Sequence, residues 1–156
     1  AQGFGMQVKV WTRSPEKHLD HYSAELFTDM ETLLQTSDFI SLHLPLNENT
    51  HGILGYDESH NIKVGATLIN TARGGLVDEP TLISALQGGH LRGAGLDVFA
   101  EEPLADGHPL LSLDNVILSP HVAYNTPDAV KAIFEITVRN ICRYFDGEPI
   151  NIVATS

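Results

Sequence analysis

Four short apolar runs constrain this chain more than any other feature: FISLHL (39–44), GATLINTA (65–72), LRGAGLDVF (91–99) and NVILSP (115–120). Short, nearly continuous apolar runs separated by helical segments are the pattern of a parallel sheet covered on both faces. Two further strands are expected at MQVKVW (6–11) and AELF (24–27). A helix is expected over TDMETLLQTSD (28–38), where Thr28 and Glu31 have capping-box spacing. Another fits DEPTLISALQGG (78–89): Asp78 can cap it, Pro80 sits near the first turn and Gly88 ends it. In TPDAVKAIFEITVRNICRYFDG (126–147), Val130, Phe134, Val138, Ile141 and Phe145 recur at helical spacing, as core or interface. Residues 45–64 show poor periodicity, and no internal repeat or low-complexity segment interrupts the pattern. The predicted fold is α/β, a doubly wound and mostly parallel sheet.

The bulk properties narrow the function. With 156 residues, 42% apolar and 19% charged, the chain has the balance of one globular domain. Nine Lys and Arg against 20 Asp and Glu give a net charge of -11, without the clustered cations that nucleic acid requires. No basic amphipathic stretch suits an anionic membrane, and no apolar run approaches a bilayer-spanning length. Cys142 is the single cysteine, so no intrachain disulfide forms and a packing role is its first reading. An acidic cytoplasmic domain is the expectation.

In doubly wound sheets, ligands bind beyond the carboxyl ends of the strands. Arg73 follows one strand, Asp97 ends another with Glu102 shortly after, and His121 follows a third. Any one of these could be a turn former; together at successive strand ends they suggest a site. Arg73 offers a planar fork that matches a carboxylate with two hydrogen bonds. The imidazole of a histidine has an intrinsic pKa near neutrality, and a carboxylate such as Glu102 at the far nitrogen of His121 would fix its tautomer and favour imidazolium. A carboxylate clamp beside a proton donor suits reduction of a 2-oxo acid, with the hydride supplied by a cofactor.

NTARGGLVDEPTLISAL, GAGLDVFAEEP and NVILSPHVAYNT together resemble the signature blocks of the D-isomer-specific 2-hydroxyacid dehydrogenases, in order and spacing. The resemblance implies a Rossmann-like dinucleotide-binding domain in which Arg73 binds the 2-oxo acid. It makes His121 the general acid/base and Glu102, just before Pro103, its partner, with Glu101 a bystander. It places Asp97 near the nicotinamide carboxamide, Thr71 and Ala72 in the nicotinamide pocket, and Leu44, Pro45 and Thr50 on a cofactor-side loop. It also suggests a homodimer built through the cofactor domain.

Two departures from the family pattern matter. The glycine-rich G-x-G-x-x-G loop is absent: GFGM (3–6) lacks the third glycine and precedes a strand where the fingerprint follows one. Residues 1–125 therefore read as a partial dinucleotide-binding domain lacking its first strand and phosphate loop. Residues 126–156 read as a helix and tail leading back toward a substrate domain that is not in this sequence. On that reading the chain alone binds cofactor poorly and turns over little. After VKVW, where NAD-preferring relatives carry an acidic residue, stand Thr12, Arg13 and Ser14, which favours NADP(H) over NAD(H). The alternative function is a dinucleotide-sensing scaffold like the C-terminal-binding corepressors, which share the fold. His18 and His21 read as a solvated helix face rather than a metal pair, and His108 as a loop residue near the cleft.

Overall fold

The computed structural model describes residues 1–12, 25–27 and 29–153. The chain divides into two compact units, Ala1–Pro120 and His121–Ser156. The first contains strands β1 (Lys9–Trp11), β2 (Glu25–Phe27), β3 (Phe39–Leu42), β4 (Ala66–Asn70), β5 (Leu91–Leu96) and β6 (Val116–Leu118). Its helices are α1 (Met30–Thr36), α2 (Tyr56–Asn61) and α3 (Glu79–Gln87). The second unit is built on one helix, α4 (Pro127–Phe145). The strands β1 and β2 pair in parallel, and β3, β4, β5 and β6 form a four-stranded parallel sheet in chain order. This is the expected α/β architecture.

The register sorts the larger sheet into two faces, because side chains alternate along a strand and paired residues of parallel neighbours share a side. Ile40, Leu68 and Ala94 align on one face, as do Leu42, Asn70 and Leu96, and all six are buried. All of these but the polar Asn70 belong to the hydrophobic core, together with Leu34, Leu54, Ile62, Leu76, Leu82 and Leu110 among others. The opposite face carries Phe39, Ser41, Thr67, Ile69, Gly93, Gly95 and Ile117, none of them buried. Arg92, the extra residue at the bulge between β4 and β5, lays its guanidinium 5.6 Å from the Phe39 ring centre on this side. Within the first unit, among the described residues, one face is sealed and the other is half-buried or exposed.

Local chemistry explains where the helices begin. The first turn of α1 is capped by Asp29, whose carboxylate accepts from the amides of Glu31 and Thr32 and from the Thr32 hydroxyl. Those bonds hold the Asp29 pKa below its ordinary value, the Thr32 hydroxyl contributing most. The capping box expected from Thr28 falls on a residue outside those described, and the cap observed is its neighbour. Asp78 caps α3 through the Thr81 amide at 3.0 Å, and Pro80 occupies the first turn, both as expected. The helix closes at Gly88, and Gly89 takes the left-handed conformation, φ 73°, that turns the chain into β5. Helix α2 arises in the stretch without periodicity, where the Glu58 carboxylate accepts from the Gly55 amide at 3.2 Å. The start of β3 is fastened to the turn before β4 by Lys63 and Asp38, 2.7 Å apart.

Helix α4 is capped by the Thr126 hydroxyl, which accepts from the Ala129 amide at 3.2 Å. None of its residues is buried: Phe134, Val138, Ile141 and Phe145 are exposed, and so is Cys142. The core reading of this stripe and the packing reading of Cys142 are both corrected. No helix among the described residues is long and apolar enough to cross a membrane.

Candidate active site

The carboxyl end of β4 passes directly into the turn that bears Arg73. Asn70, the last strand residue, is 2% exposed. Its side-chain oxygen accepts from the Ala72 amide at 3.1 Å, and its NH₂ donates to the Arg73 carbonyl at 2.9 Å. The chain then enters a 3₁₀ turn, Gly74–Leu76, anchored by Leu76, which is fully buried. The Arg73 side chain is exposed and donates to the Ala72 carbonyl at 2.6 Å. A Cβ built on Gly74 would overlap the carbonyl of Phe99 and crowd the Ala100 nitrogen. The Arg73 turn therefore lies directly against the backbone of the turn after β5.

That second turn carries the carboxylates. The Asp97 amide donates to the Asn70 carbonyl at 3.0 Å, prolonging the β4–β5 ladder by one bond. The Asp97 carboxylate is buried, at 2% exposure, and accepts from the Ser119 hydroxyl at 2.5 Å. Burial of a polar side chain is tolerable only with such partners. Three residues beyond Phe99, Glu102 folds back so that its Oε1 accepts from the Phe99 amide at 3.0 Å, and the Glu102–Pro103 peptide is cis. The neighbouring Glu101 is exposed.

A second carboxylate braces the same turn from helix α3. Glu79 accepts from the Ala100 amide at 3.2 Å through Oε2 and meets His108 Nε2 at 3.1 Å through Oε1. His108 Nδ1 accepts from the Leu110 amide, so the ring proton sits on Nε2 and is donated to Glu79. The loop reading of His108 thus becomes a structural one: it ties the 108–112 segment to α3. A cleft of about 620 Å³ opens beside this pair, lined by His51, Tyr56, Asp78, Glu79 and Glu101 among others. Arg73, Asp97 and Glu102 are not among its lining residues. Asp78 is engaged as the cap of α3, and Glu79 as the brace of the Ala100 turn and of His108.

His121 opens the second unit and is half-buried. Its φ is 54°, in the left-handed region that non-glycine residues rarely adopt. Such conformations cost of order 1–3 kcal/mol and cluster at functional sites. Among the described residues, no group of three or more His, Cys, Asp or Glu side chains could hold a metal ion. His18 and His21 lie outside the described residues.

The sequence profile described as "D-isomer specific 2-hydroxyacid dehydrogenase, NAD binding domain" matches residues 1–123. The chain belongs to this family. It is 42% identical over 154 residues to a glyoxylate reductase of Thermococcus litoralis, covering 98% of this chain and 46% of that protein. Among solved structures it is similar to the NADPH-dependent glyoxylate/hydroxypyruvate reductase of Sinorhizobium meliloti in complex with NADP and malonate. There the TM-score is 0.89 at 32% identity, covering 98% of this chain and 47% of the other. It is also similar to the D-lactate dehydrogenase of Aquifex aeolicus complexed with NAD and lactic acid. That match has a TM-score of 0.85 at 34% identity, covering 94% and 48% of the two chains. The chain spans about half the length of the relatives it matches.

The structure places the expected cofactor residues in several settings. Thr71 is exposed and Ala72 half-buried at the end of β4, one strand from the buried Asp97. Leu44 is half-buried and Pro45 exposed just beyond β3. Thr50 is fully buried; its hydroxyl donates to the Pro45 carbonyl at 2.6 Å and accepts from the Asn47 amide at 2.9 Å, closing the 45–50 loop. Thr12 is half-buried just after β1, whereas Arg13 and Ser14 lie outside the described residues. A buried carboxylate held by a hydroxyl stands at this strand-end edge, the region where such sheets take a dinucleotide. The glycine-rich fingerprint for its pyrophosphate does not occur in these 156 residues. Either NAD or NADP is compatible with the family and its solved members.

Asn70 is the residue that sequence reasoning missed. Its signal was a lone amide ending an apolar run, easily read as the polar start of a loop.

Proposed function

We propose that this chain is the cofactor-binding part of an NAD(P)-dependent reductase that interconverts small 2-oxo acids and D-2-hydroxy acids. The observation that carries the reading is the seating of Gly74 on the Phe99–Ala100 backbone, which fixes the Arg73 turn against the turn bearing Glu102. Family membership and relatives named glyoxylate reductase support it. The malonate bound with NADP in one relative is a small carboxylate, the class of ligand an arginine fork takes.

Arg73 grips the substrate carboxylate and draws electron density toward the ketone oxygen. His121 is the general acid, donating a proton to that oxygen as carbon is reduced, and takes it back in the reverse direction. Glu102 is its carboxylate partner, which orients the ring. Bound dinucleotide supplies or accepts the hydride. Asp97, held by Ser119, would help to hold the nicotinamide end of the cofactor, together with Thr71 and Ala72. Leu44, Pro45 and the loop closed by Thr50 bound the cofactor on the β3 side. Thr12, Arg13 and Ser14 select a 2′-phosphate, giving a preference for NADP(H). Helix α4 leads toward a substrate-binding domain, and the complete protein is a cytoplasmic homodimer.

The test is an assay of the full natural polypeptide containing this chain with glyoxylate, hydroxypyruvate and pyruvate. The expected result is His121-dependent oxidation of NADPH. Absence of turnover together with dinucleotide-dependent assembly would instead identify the corepressor-like scaffold.

A further inference from the structure

We propose that Asn70 is the positioning residue of the carboxylate clamp: it holds the Arg73 turn in the one shape that aims the guanidinium, and acts on substrate only through it. The inference rests on the reading of Arg73 as the substrate-gripping residue.

Asn70 sits at the last position of β4 on the sealed face of the sheet, 2% exposed. A buried amide must find partners for both its oxygen and its nitrogen, or desolvation disfavours the fold. Both partners of this amide lie in one turn. The oxygen accepts from the Ala72 amide at 3.1 Å, and the nitrogen donates to the Arg73 carbonyl at 2.9 Å. The orientation of the amide is fixed by chemistry, since a backbone N–H only donates and a carbonyl only accepts. Asn70 also accepts from the Asp97 amide through its backbone carbonyl at 3.0 Å. One residue thereby joins the Arg73 turn to the end of β5.

The fit is specific to asparagine. Aspartate would keep the bond to the Ala72 amide but set an oxygen against the Arg73 carbonyl. Serine is too short to reach both groups, and glutamine is one methylene too long. The bonds clasp the backbone on either side of the Arg73 Cα, while the guanidinium remains exposed. Beyond the clasp, Gly74 is pressed against Phe99 and Ala100, so the turn is fixed from both ends. An ordinary buried asparagine would serve stability alone. One whose two bonds both close on the turn of a gripping arginine controls where that arginine begins.

The experiment uses the full natural polypeptide and the variants Asn70→Asp, Asn70→Ala, Arg73→Ala and Asn70→Asp/Arg73→Ala. With glyoxylate as substrate, Asn70→Asp is expected to raise KM and lower kcat, for a loss in kcat/KM of about 10- to 100-fold. NADPH affinity, read by fluorescence, should stay within about twofold, because no cofactor contact is removed. In the Arg73→Ala background, Asn70→Asp should cost little further, since its effect passes through the missing side chain. Full additivity in that cycle, or unchanged kinetics in folded Asn70 variants, overturns the proposal. If the variants do not fold, amide exchange in the wild-type protein decides. The Ala72 amide should exchange as slowly as the β4 ladder, and exchange as fast as an open loop overturns the clasp. Failure of the underlying reading looks different: Arg73→Ala alone would then leave turnover of glyoxylate intact.

Discussion

A guanidinium is useful for gripping a carboxylate only if its two parallel N–H groups arrive together, and on the proposed reading Arg73 does this from a turn tied at both ends. Arg73→Ala should therefore raise KM and lower kcat together in the full natural polypeptide, because the grip serves ground and transition states alike; steady-state kinetics with glyoxylate would show it. The loss expected in kcat/KM is about 10²–10³, typical for removal of one preorganised charge-stabilising donor. Cofactor choice belongs to this scale too. Arg13→Ala should weaken NADPH more than NADH in paired titrations, and equal losses would dismiss a 2′-phosphate contact. The placing of Arg73, Asp97, Glu102 and His121 just beyond strands was legible in the sequence, because apolar runs announce where strands stop. The clasp by Asn70 was not, since its meaning depends on two backbone groups that the fold alone brings within reach. Nor was the burial of Thr50, a residue whose hydroxyl looks solvent-ready in LNENT and is instead consumed by its own loop.

Elements formed where local chemistry and burial agreed. Helix α3 was legible in full because Asp78, Pro80 and Gly88 mark its ends and its apolar residues share a face. Helix α2 was not: YDESHN offers no apolar stripe, and Ser59 is its buried residue. The cap of α1 moved by one position because Thr28 and Asp29 are both competent caps, and it is the Asp29 carboxylate that reaches the first amides. The join between the Arg73 and Glu102 turns gives a prediction. Gly74→Ala forces a methyl into the Phe99 carbonyl, so it should destabilise by about 1–3 kcal/mol in urea unfolding, as overpacking does. The Asp38–Lys63 tie gives another. The hydrogen bond from Lys63, and then its charge, hold the Asp38 pKa below the ordinary 3.8. A lowered folded-state pKa contributes stability that is present above the unfolded value and lost as pH falls through the folded one. Thermal melts of wild type and Asp38→Asn should then differ by a constant amount near neutrality and converge below pH 3.8.

For the first unit as a whole, the sheet has one sealed face and one open face. Leu68 and Ile117 belong to strands of the same sheet but face opposite ways, so they should respond differently. Leu68→Ala removes a side chain that is 1% exposed and should cost about 2–5 kcal/mol. Ile117→Ser removes one that is 78% exposed and should change stability by no more than about 0.5 kcal/mol, while reducing self-association seen by light scattering. The apolar runs correctly announced a parallel sheet, yet they could not report that, among the described residues of the first unit, one side is less buried than the other. A run such as FISLHL reads the same whether or not its second face has a neighbour. The open face has a calorimetric consequence. Heat capacity of unfolding tracks the apolar surface newly wetted, and ordinary domains gain roughly 12–15 cal/mol/K per residue. Surface already in water in the native state adds nothing to that increment. The chain should therefore unfold with a smaller heat-capacity step, and a shallower denaturant slope, than its length alone would suggest.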